Sequence, residues 1–358
     1  MRRTTNFDIT QPFGGRLQDY TNEWIKNFGY QLATKIVQWG YKPIWNSYPP
    51  LSTPPISHYI SDFDAMEQEI SRLLDEEIIR RFVPRNQCFL SKVNLKRKEN
   101  GDYRLVPNFR YLNYYVQQFP LTMEGMGLVE ELIQQNDYMI SIDLKEAFYH
   151  IPLHPDAQKY FVFDFNYERY CFQCLPFGLK TSSWTFKTVL QPIIESIRLN
   201  GIRIVAYCDD ILIFSRTKHG AKRYRDSVIN LLESHGFIIN ERKSQLTPRR
   251  SIEYLGYVIN SVQMMIAAPK EKIEKLRDEC INIYNQHFIQ LRSLTSLISK
   301  LYNIVKDPEC TRELRRDERL HQRRNQNSRI QLSQRARQEL EDWIDNIEDW
   351  NGYFIITT

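Results

Sequence analysis

Hydrophobic positions along this chain recur with two different periods. Residues 138–143, 159–165, 169–174, 202–207, 210–214, 252–257 and 263–267 are short apolar runs rich in β-branched and aromatic residues, the pattern of buried strands. Residues 123–135, 182–199, 219–235, 269–285, 290–305 and 333–347 carry apolar residues at helical spacing. Phe63, Met66, Ile70, Leu73, Leu74 and Ile78 form one more helical stripe, read as core packing, with Ser61 and Asp64 as its capping box. Asn100-Gly101, between Leu90–Leu95 and Tyr103–Val106, predicts a two-residue hairpin turn with Lys96, Arg97, Lys98 and Arg104 near its tip. Two helix-like patches, Leu17–Phe28 and Ala33–Trp39, precede a Pro-rich arm through Tyr48-Pro49-Pro50 to Pro54-Pro55. The strand series contains hairpins and is no regular βαβ repeat. It predicts an α+β fold centred on an antiparallel sheet with helices on one face, and a wholly helical packing unit from residue 269 onward.

Two of the strand runs end in bare carboxylates. Tyr138-Met139-Ile140-Ser141-Ile142 leads into Asp143, and Tyr207-Cys208-Asp209-Asp210 sits between Ile202–Ala206 and Ile211–Phe214. Unpaired charge is costly to bury, so carboxylates at the ends of buried strands point to a bound cation. Hard oxygen donors suit Mg²⁺, which keeps waters and shares substrate phosphates. A hairpin through Cys208-Asp209-Asp210 would lift Asp209 toward Asp143, and two ions bridged there fit phosphoryl or nucleotidyl transfer. Asp210, its neighbour in an extended turn, points differently and binds less directly. The competing reading of Tyr-Cys-Asp-Asp taken alone is an ordinary acidic β-turn.

Composition narrows the field. The chain has 358 residues, 42% hydrophobic and 25% charged, enough for a core and two or three subdomains. Net charge is +5, compatible with a polyanion partner. From Arg312 to Arg329 seven Arg face Glu313, Asp317 and Glu318, a local excess of +4. That stretch reads either as a phosphate contact or as a solvated linker. No signal peptide and no long apolar span is present, so an intracellular protein with no membrane partner and reduced thiols is expected, in the cytoplasm, the nucleus or both. Cys171 and Cys174 have zinc-like spacing but fall on opposite faces of a strand, so core thiols are the better reading. His150 and His154 lack an obvious third ligand.

The residues around the two acidic stations resemble the reverse transcriptase family. Ser141-Ile142-Asp143-Leu144-Lys145-Glu146-Ala147-Phe148-Tyr149-His150-Ile151-Pro152-Leu153 resembles its first catalytic motif, Leu175–Ser182 its second and Tyr207–Asp210 its third. Gly236–Ser244 and Tyr254-Leu255-Gly256-Tyr257 resemble the next two, and Arg104–Asn113 the upstream fingers motif. Six motifs in order cover about residues 60–305. The flanks are similar to DIRS-type retrotransposon polymerases, through Gly14-Gly15-Arg16-Leu17, Trp24, Gly40–Ile44, Leu340, Trp343 and Trp350-Asn351-Gly352. Gypsy-type LTR elements and pararetroviruses are the nearest rivals.

The resemblance implies a right-hand polymerase that copies RNA into DNA by adding dNMP to a primer 3′-hydroxyl. Its divisions would be 1–60 N-terminal extension and linker, 61–137 fingers, 138–268 palm with inserted fingers elements, 269–310 thumb, and 311–358 connection and start of an RNase H-like region. Asp143, Asp209 and Asp210 would hold two Mg²⁺, with Mn²⁺ as a substitute. Lys243 would protonate the leaving pyrophosphate; its rival reading is a surface Lys in a turn. Arg104 would offer a planar fork to triphosphate oxygens. Phe148 would be the steric gate against a 2′-hydroxyl, the rival being core packing. Phe177 and Gly178 would let the backbone approach nucleotide and template-primer. Leu255, Gly256 and Tyr257 would begin the primer grip. Partners would be an RNA or DNA template with primer, dNTPs, and retroelement proteins such as an RNase H and a recombinase or integrase.

Three departures stand out. Asn108 sits where many relatives carry Asp, Glu146 replaces a frequent Asp, and Cys208 fills a variable position. None removes a metal ligand. Trp350–Thr358 resembles the first strand of an RNase H domain cut off before any catalytic acid, so no RNase H activity is expected and the chain reads as a fragment of a polyprotein. Two alternatives are carried forward: a silent or incomplete retroelement relic that binds primer-template, and a maturase-like polymerase, which the opening and the lack of a maturase segment disfavour.

Overall fold

The computed structural model describes residues 12–51, 62–83, 87–98 and 101–355. These form two compact units. The first holds residues up to Gly125 with Ile142–Ile211 and Arg223–Ser244; the second holds Met126–Ser141, Leu212–Lys222 and residues from Gln245 onward. Strands Tyr138–Asp143 and Asp210–Ser215 and helix Lys218–Ser234 each pass from one unit into the other.

In the first unit, Lys92–Arg97 and Tyr103–Asn108 form an antiparallel hairpin in which Leu95 faces Leu105 and Lys96 faces Arg104. Gly101 closes its tip by donating from N to the Lys98 carbonyl; Asn100, the other half of the expected turn, lies outside the described residues. Val162–Phe165, Glu168–Phe172 and Ile79–Arg81 make a three-stranded antiparallel sheet. Helix Phe63–Asp75 buries Met66, Ile70 and Leu73 as its period requires. Its cap is Asp62, which accepts from Ala65 N at 3.0 Å; Ser61 lies outside the described residues. Helix Ser182–Leu199 buries Phe186, Val189, Leu190 and Ile193. Trp24 is fully buried, and its indole donates to the His235 carbonyl at 3.0 Å. The N-terminal patches are thus packed into this unit as helices Thr21–Phe28 and Leu32–Trp39.

In the second unit, helices Lys270–Tyr284, Leu291–Val305, Arg312–Leu320 and Gln334–Asn346 share a core that includes Leu276, Cys280, Leu294, Leu301, Leu314, Leu340 and Trp343. The expectation of a wholly helical region from residue 269 needs correction. Ile289–Gln290 pairs with Arg329–Ile330, and Tyr353–Phe354 pairs with Met265–Ala267 at the edge of the Ser251–Ala267 sheet. The arginine-rich stretch starts as a helix instead of a linker, because Leu314 is buried and Asp317 accepts from Ser333 N at 2.7 Å. Among the described residues no helix is long and apolar enough to cross a membrane.

None of the six cysteines is in a disulfide. Cys171 and Cys174 are buried, and burial pushes the Cys171 thiol up to about 11. His150 is fully buried and its imidazole is pushed down to about 3, chiefly by burial. His154 caps the turn that follows, accepting from Asp156 N at 3.2 Å.

Candidate catalytic site

Arg203–Tyr207, Asp210–Ser215 and Tyr138–Asp143 are successive strands of one sheet. The connection between the first two is Cys208-Asp209, with Cys208 in the left-handed region at φ 52°. A non-glycine residue there carries backbone strain of about 1–3 kcal/mol, a feature that clusters at functional positions. Asp209 thus sits at the tip of a tight hairpin. Its carbonyl accepts from Leu144 N at 3.0 Å, which ties the tip to the residue after Asp143.

Asp143 is held on several sides. Its backbone N donates to Ser244 Oγ at 2.9 Å, and its carbonyl accepts from Asn240 N at 2.8 Å. Asn240 Nδ2 donates to Asp143 Oδ1 at 2.7 Å, and Ser244 Oγ donates back to the Asn240 carbonyl at 2.7 Å.

The three carboxylates are half-buried and sense each other's charge. Burial raises Asp143, with Asp209 adding to it against the pull of Asn240 and Lys243. Burial also raises Asp209, opposed by Lys243 and Arg104. Asp210 is pushed up to about 6 by burial, then by Asp209 and Asp143. Lys243 is exposed, but its charge reaches all three carboxylates, more than an isolated surface Lys would do.

The fit to a divalent cation rests on this donor set. Three hard oxygen donors, held partly out of water and repelling one another, are the groups a divalent cation would favour. Among the described residues no three His, Cys, Asp or Glu side chains converge closely enough to hold a metal ion by themselves, so water and substrate oxygens would have to complete any shell. That arrangement suits Mg²⁺, which fills its shell with water and substrate oxygens, better than a resident structural metal.

One wall is aromatic. Phe148 is buried against Phe177 and Phe186, with ring centroids 4.8 and 5.1 Å away. The Arg104 guanidinium lies 5.1 Å from the Phe177 ring centre. Gly178 has φ +84°, and a Cβ there would stand 3.1 Å from the Pro107 carbonyl oxygen. Only glycine lets this turn lie against the strand that carries Arg104. Asn108 Oδ1 accepts from Arg110 N at 3.1 Å, a local turn contact that needs no charge.

Asp143, Asp209, Asp210, Lys243, Arg104, Phe148, Phe177 and Gly178 all fall in the first unit. Leu255, Gly256 and Tyr257 belong to the second. Leu255 and Gly256, at φ 49° and 72°, form the two-residue turn joining Ser251–Tyr254 to Tyr257–Asn260. Lys272 Nζ lies 4.9 Å from the Tyr257 ring centre.

Sequence reasoning passed over several residues. Asn240 and Ser244 lie in a quoted motif, but no periodicity marks them as partners of Asp143. Glu69 is buried within the Met66–Ile70–Leu73 stripe, and a charge inside an apolar stripe was the signal available.

Residues 96–259 match the family model described as reverse transcriptase (RNA-dependent DNA polymerase). That stretch is similar to reverse transcriptase domains of the retroviral and retroelement type. The chain has relatives among viral polyproteins. The chain is 27% identical over 215 residues to the Gag-Pol polyprotein of Rous sarcoma virus subgroup B (strain Schmidt-Ruppin), covering 56% of this chain and 13% of the polyprotein. It is 31% identical over 173 residues to the Gag-Pro-Pol polyprotein of Human T-cell leukemia virus 2, covering 46% of this chain and 12% of the polyprotein. The chain therefore spans about an eighth of the curated relatives it matches. Among solved structures, the foamy viral protease-reverse transcriptase dRH in complex with double-stranded DNA superposes with a TM-score of 0.72 at 18% identity, over 94% of this chain and 61% of that one. The foamy viral protease-reverse transcriptase in complex with an RNA/DNA hybrid gives 0.65 at 19% identity, over 93% and 46%. The fold is that of the right-hand polymerases.

Proposed function

We propose that the chain is an RNA-directed DNA polymerase of a retroelement, adding dNMP to a primer 3′-hydroxyl and releasing pyrophosphate. The observation that carries the reading is geometric: Asp143, Asp209 and Asp210 lie half-buried at the ends of neighbouring strands of one sheet, with the Asp209 carbonyl accepting from Leu144 N at 3.0 Å. The reverse transcriptase match over residues 96–259 supports it independently.

Asp143, Asp209 and Asp210 would hold two Mg²⁺, or Mn²⁺ in its place, which would supply activation of a hydroxyl and neutralisation of phosphate charge. Asp143 and Asp209 would bind directly and Asp210 less so, while Asn240 orients the Asp143 carboxylate. Arg104 binds triphosphate oxygens through its fork, stacked on Phe177. Phe148 presents its ring to the sugar and excludes a 2′-hydroxyl. Lys243 delivers a proton to the departing pyrophosphate. Leu255, Gly256 and Tyr257 contact the primer. Residues 61–137 serve as fingers, 138–268 as palm with inserted fingers elements, 269–310 as thumb and 311–358 as connection.

The template is RNA or DNA paired to a primer, in line with the duplexes named for the foamy viral structures. The parent element is of DIRS type, with gypsy-type LTR elements and pararetroviruses as rivals, and supplies RNase H and a recombinase or integrase. The test is extension of oligo(dT) on poly(rA) with dTTP and Mg²⁺, beside Asp209→Ala. Extension by the unaltered chain alone is expected, with the variant still folded at the assay temperature. Primer-template binding without extension in Mg²⁺ or Mn²⁺ would favour the silent-relic reading instead.

A further inference from the structure

Within the first unit, a run of ion pairs joins three segments far apart in sequence. Glu146 lies three residues after Asp143 and two before Phe148. It occupies the left-handed region at φ 44° and caps the 3₁₀ turn Ala147–His150, with Tyr149 N donating to its carbonyl at 3.0 Å. Its side chain is mostly buried and takes two cations: Arg72 Nη1 at 3.4 Å from Oε2, and Lys98 Nζ at 3.7 Å from Oε1. Arg72 reaches the other way to Glu69, with Nε 2.8 Å from one oxygen and Nη2 3.0 Å from the other. Glu69 is buried and also accepts from Leu105 N at 3.3 Å, next to Arg104. The Arg72 guanidinium is held above its ordinary value by Glu69 and Glu146, against the opposing effect of burial.

The basic hairpin is therefore fastened at two points. Lys98, just past its first strand, and Leu105 on its second both lead, through charged side chains, to the turn that carries Phe148. A nucleoside triphosphate that met Arg104 with its phosphates and Phe148 with its sugar would span the same two elements. We propose that Glu146 is a positioning residue that sets the spacing between the phosphate-binding hairpin and the sugar-facing turn, and so governs nucleotide affinity and sugar discrimination. The inference rests on the polymerase reading above. Glu146 touches no reacting atom; it acts through Arg72 and Lys98. A partly buried carboxylate with two cationic partners is also the device that holds a left-handed residue in place against its strain.

The experiment is steady-state single-nucleotide incorporation on an RNA template, with dTTP and UTP assayed separately. Glu146→Gln is expected to raise the dTTP KM about tenfold, with kcat changed less than about threefold, and to narrow the dTTP-to-UTP preference. Glu146→Asp, which keeps the charge, is expected to lose less. Lys98→Met is expected to narrow the sugar preference in the same direction, and its effect is expected to be non-additive with Glu146→Gln. Wild-type KM and sugar preference in a folded Glu146→Gln, or strictly additive effects, would overturn the proposal. If Glu146→Gln melts below the assay temperature, the pair Lys98→Met and Glu146→Asp decides on the same criteria. Failure of the unaltered chain to extend primer would instead count against the polymerase reading, which keeps the two claims separable.

Discussion

Asn240 Nδ2 donates a 2.7 Å hydrogen bond to Oδ1 of Asp143, across 97 residues of sequence. The bond is charge-assisted and opposes the burial that raises the Asp143 carboxyl. It leaves one carboxylate oxygen oriented by protein and the other available to a cation. Asn240→Ala is expected to lower the apparent Mg²⁺ affinity by about 10–100-fold, the usual cost of losing an outer partner of a metal ligand. A Mg²⁺ titration of primer extension checks this; an unchanged midpoint would mean that Asn240 has no part in shaping the metal site.

Asp210 sets a pH dependence. Its carboxyl is pushed up to about 6 in the folded chain, above the ordinary 3.8. A raised carboxyl binds more protons when folded than when unfolded, so its contribution to stability is present below about pH 4 and is lost as pH rises through about 6. Without metal, Asp210→Asn is therefore expected to stabilise the protein at pH 7.5, on the order of 1 kcal/mol once solvent screening is allowed for. Mg²⁺ is expected to raise the melting temperature more at pH 7.5 than at pH 5, where protons compete for the carboxylates. Thermal melts at the two pH values, with and without 10 mM-range Mg²⁺, read both effects. Equal Mg²⁺ shifts at the two pH values would contradict the assignment.

Phe148 is packed on Phe177 and Phe186, so truncation there has two consequences. Phe148→Val is expected to admit a 2′-hydroxyl and raise UTP incorporation relative to dTTP by about 10-fold or more. It is also expected to lower stability by about 1–3 kcal/mol, through lost aromatic burial. Competitive incorporation and a denaturant melt separate the two. A lower melting midpoint with unchanged sugar preference would reduce Phe148 to core packing.

What was legible in the sequence was whatever had a short-range period. The strand ending at Asp143 and the hairpin through Asp209 follow from apolar runs interrupted by charge. The stripe Leu291, Leu294, Ile298, Leu301 follows from helical spacing. Strand Ile79–Arg81 escaped because it has three residues, two of them Arg. Strand Gln245–Arg249 escaped because Pro248 and Arg249 break any alternation. Helix Arg312–Leu320 was hidden by its charge, since Leu314 is its sole buried apolar side chain. Glu69, Arg72 and Glu146 are brought together by tertiary packing across 77 residues of sequence, and no local pattern announces such a contact.

The most direct test of the central claim is to extend a labelled DNA primer on an RNA template of mixed sequence, with four dNTPs and Mg²⁺, and to sequence the product. The expected result is a DNA copy complementary to the RNA, made by the unaltered chain and absent with Asp143→Asn or Asp209→Asn, each variant melting no lower than the unaltered chain. Primer left unextended by a folded chain that still binds the hybrid, or extension that survives both substitutions, would contradict it.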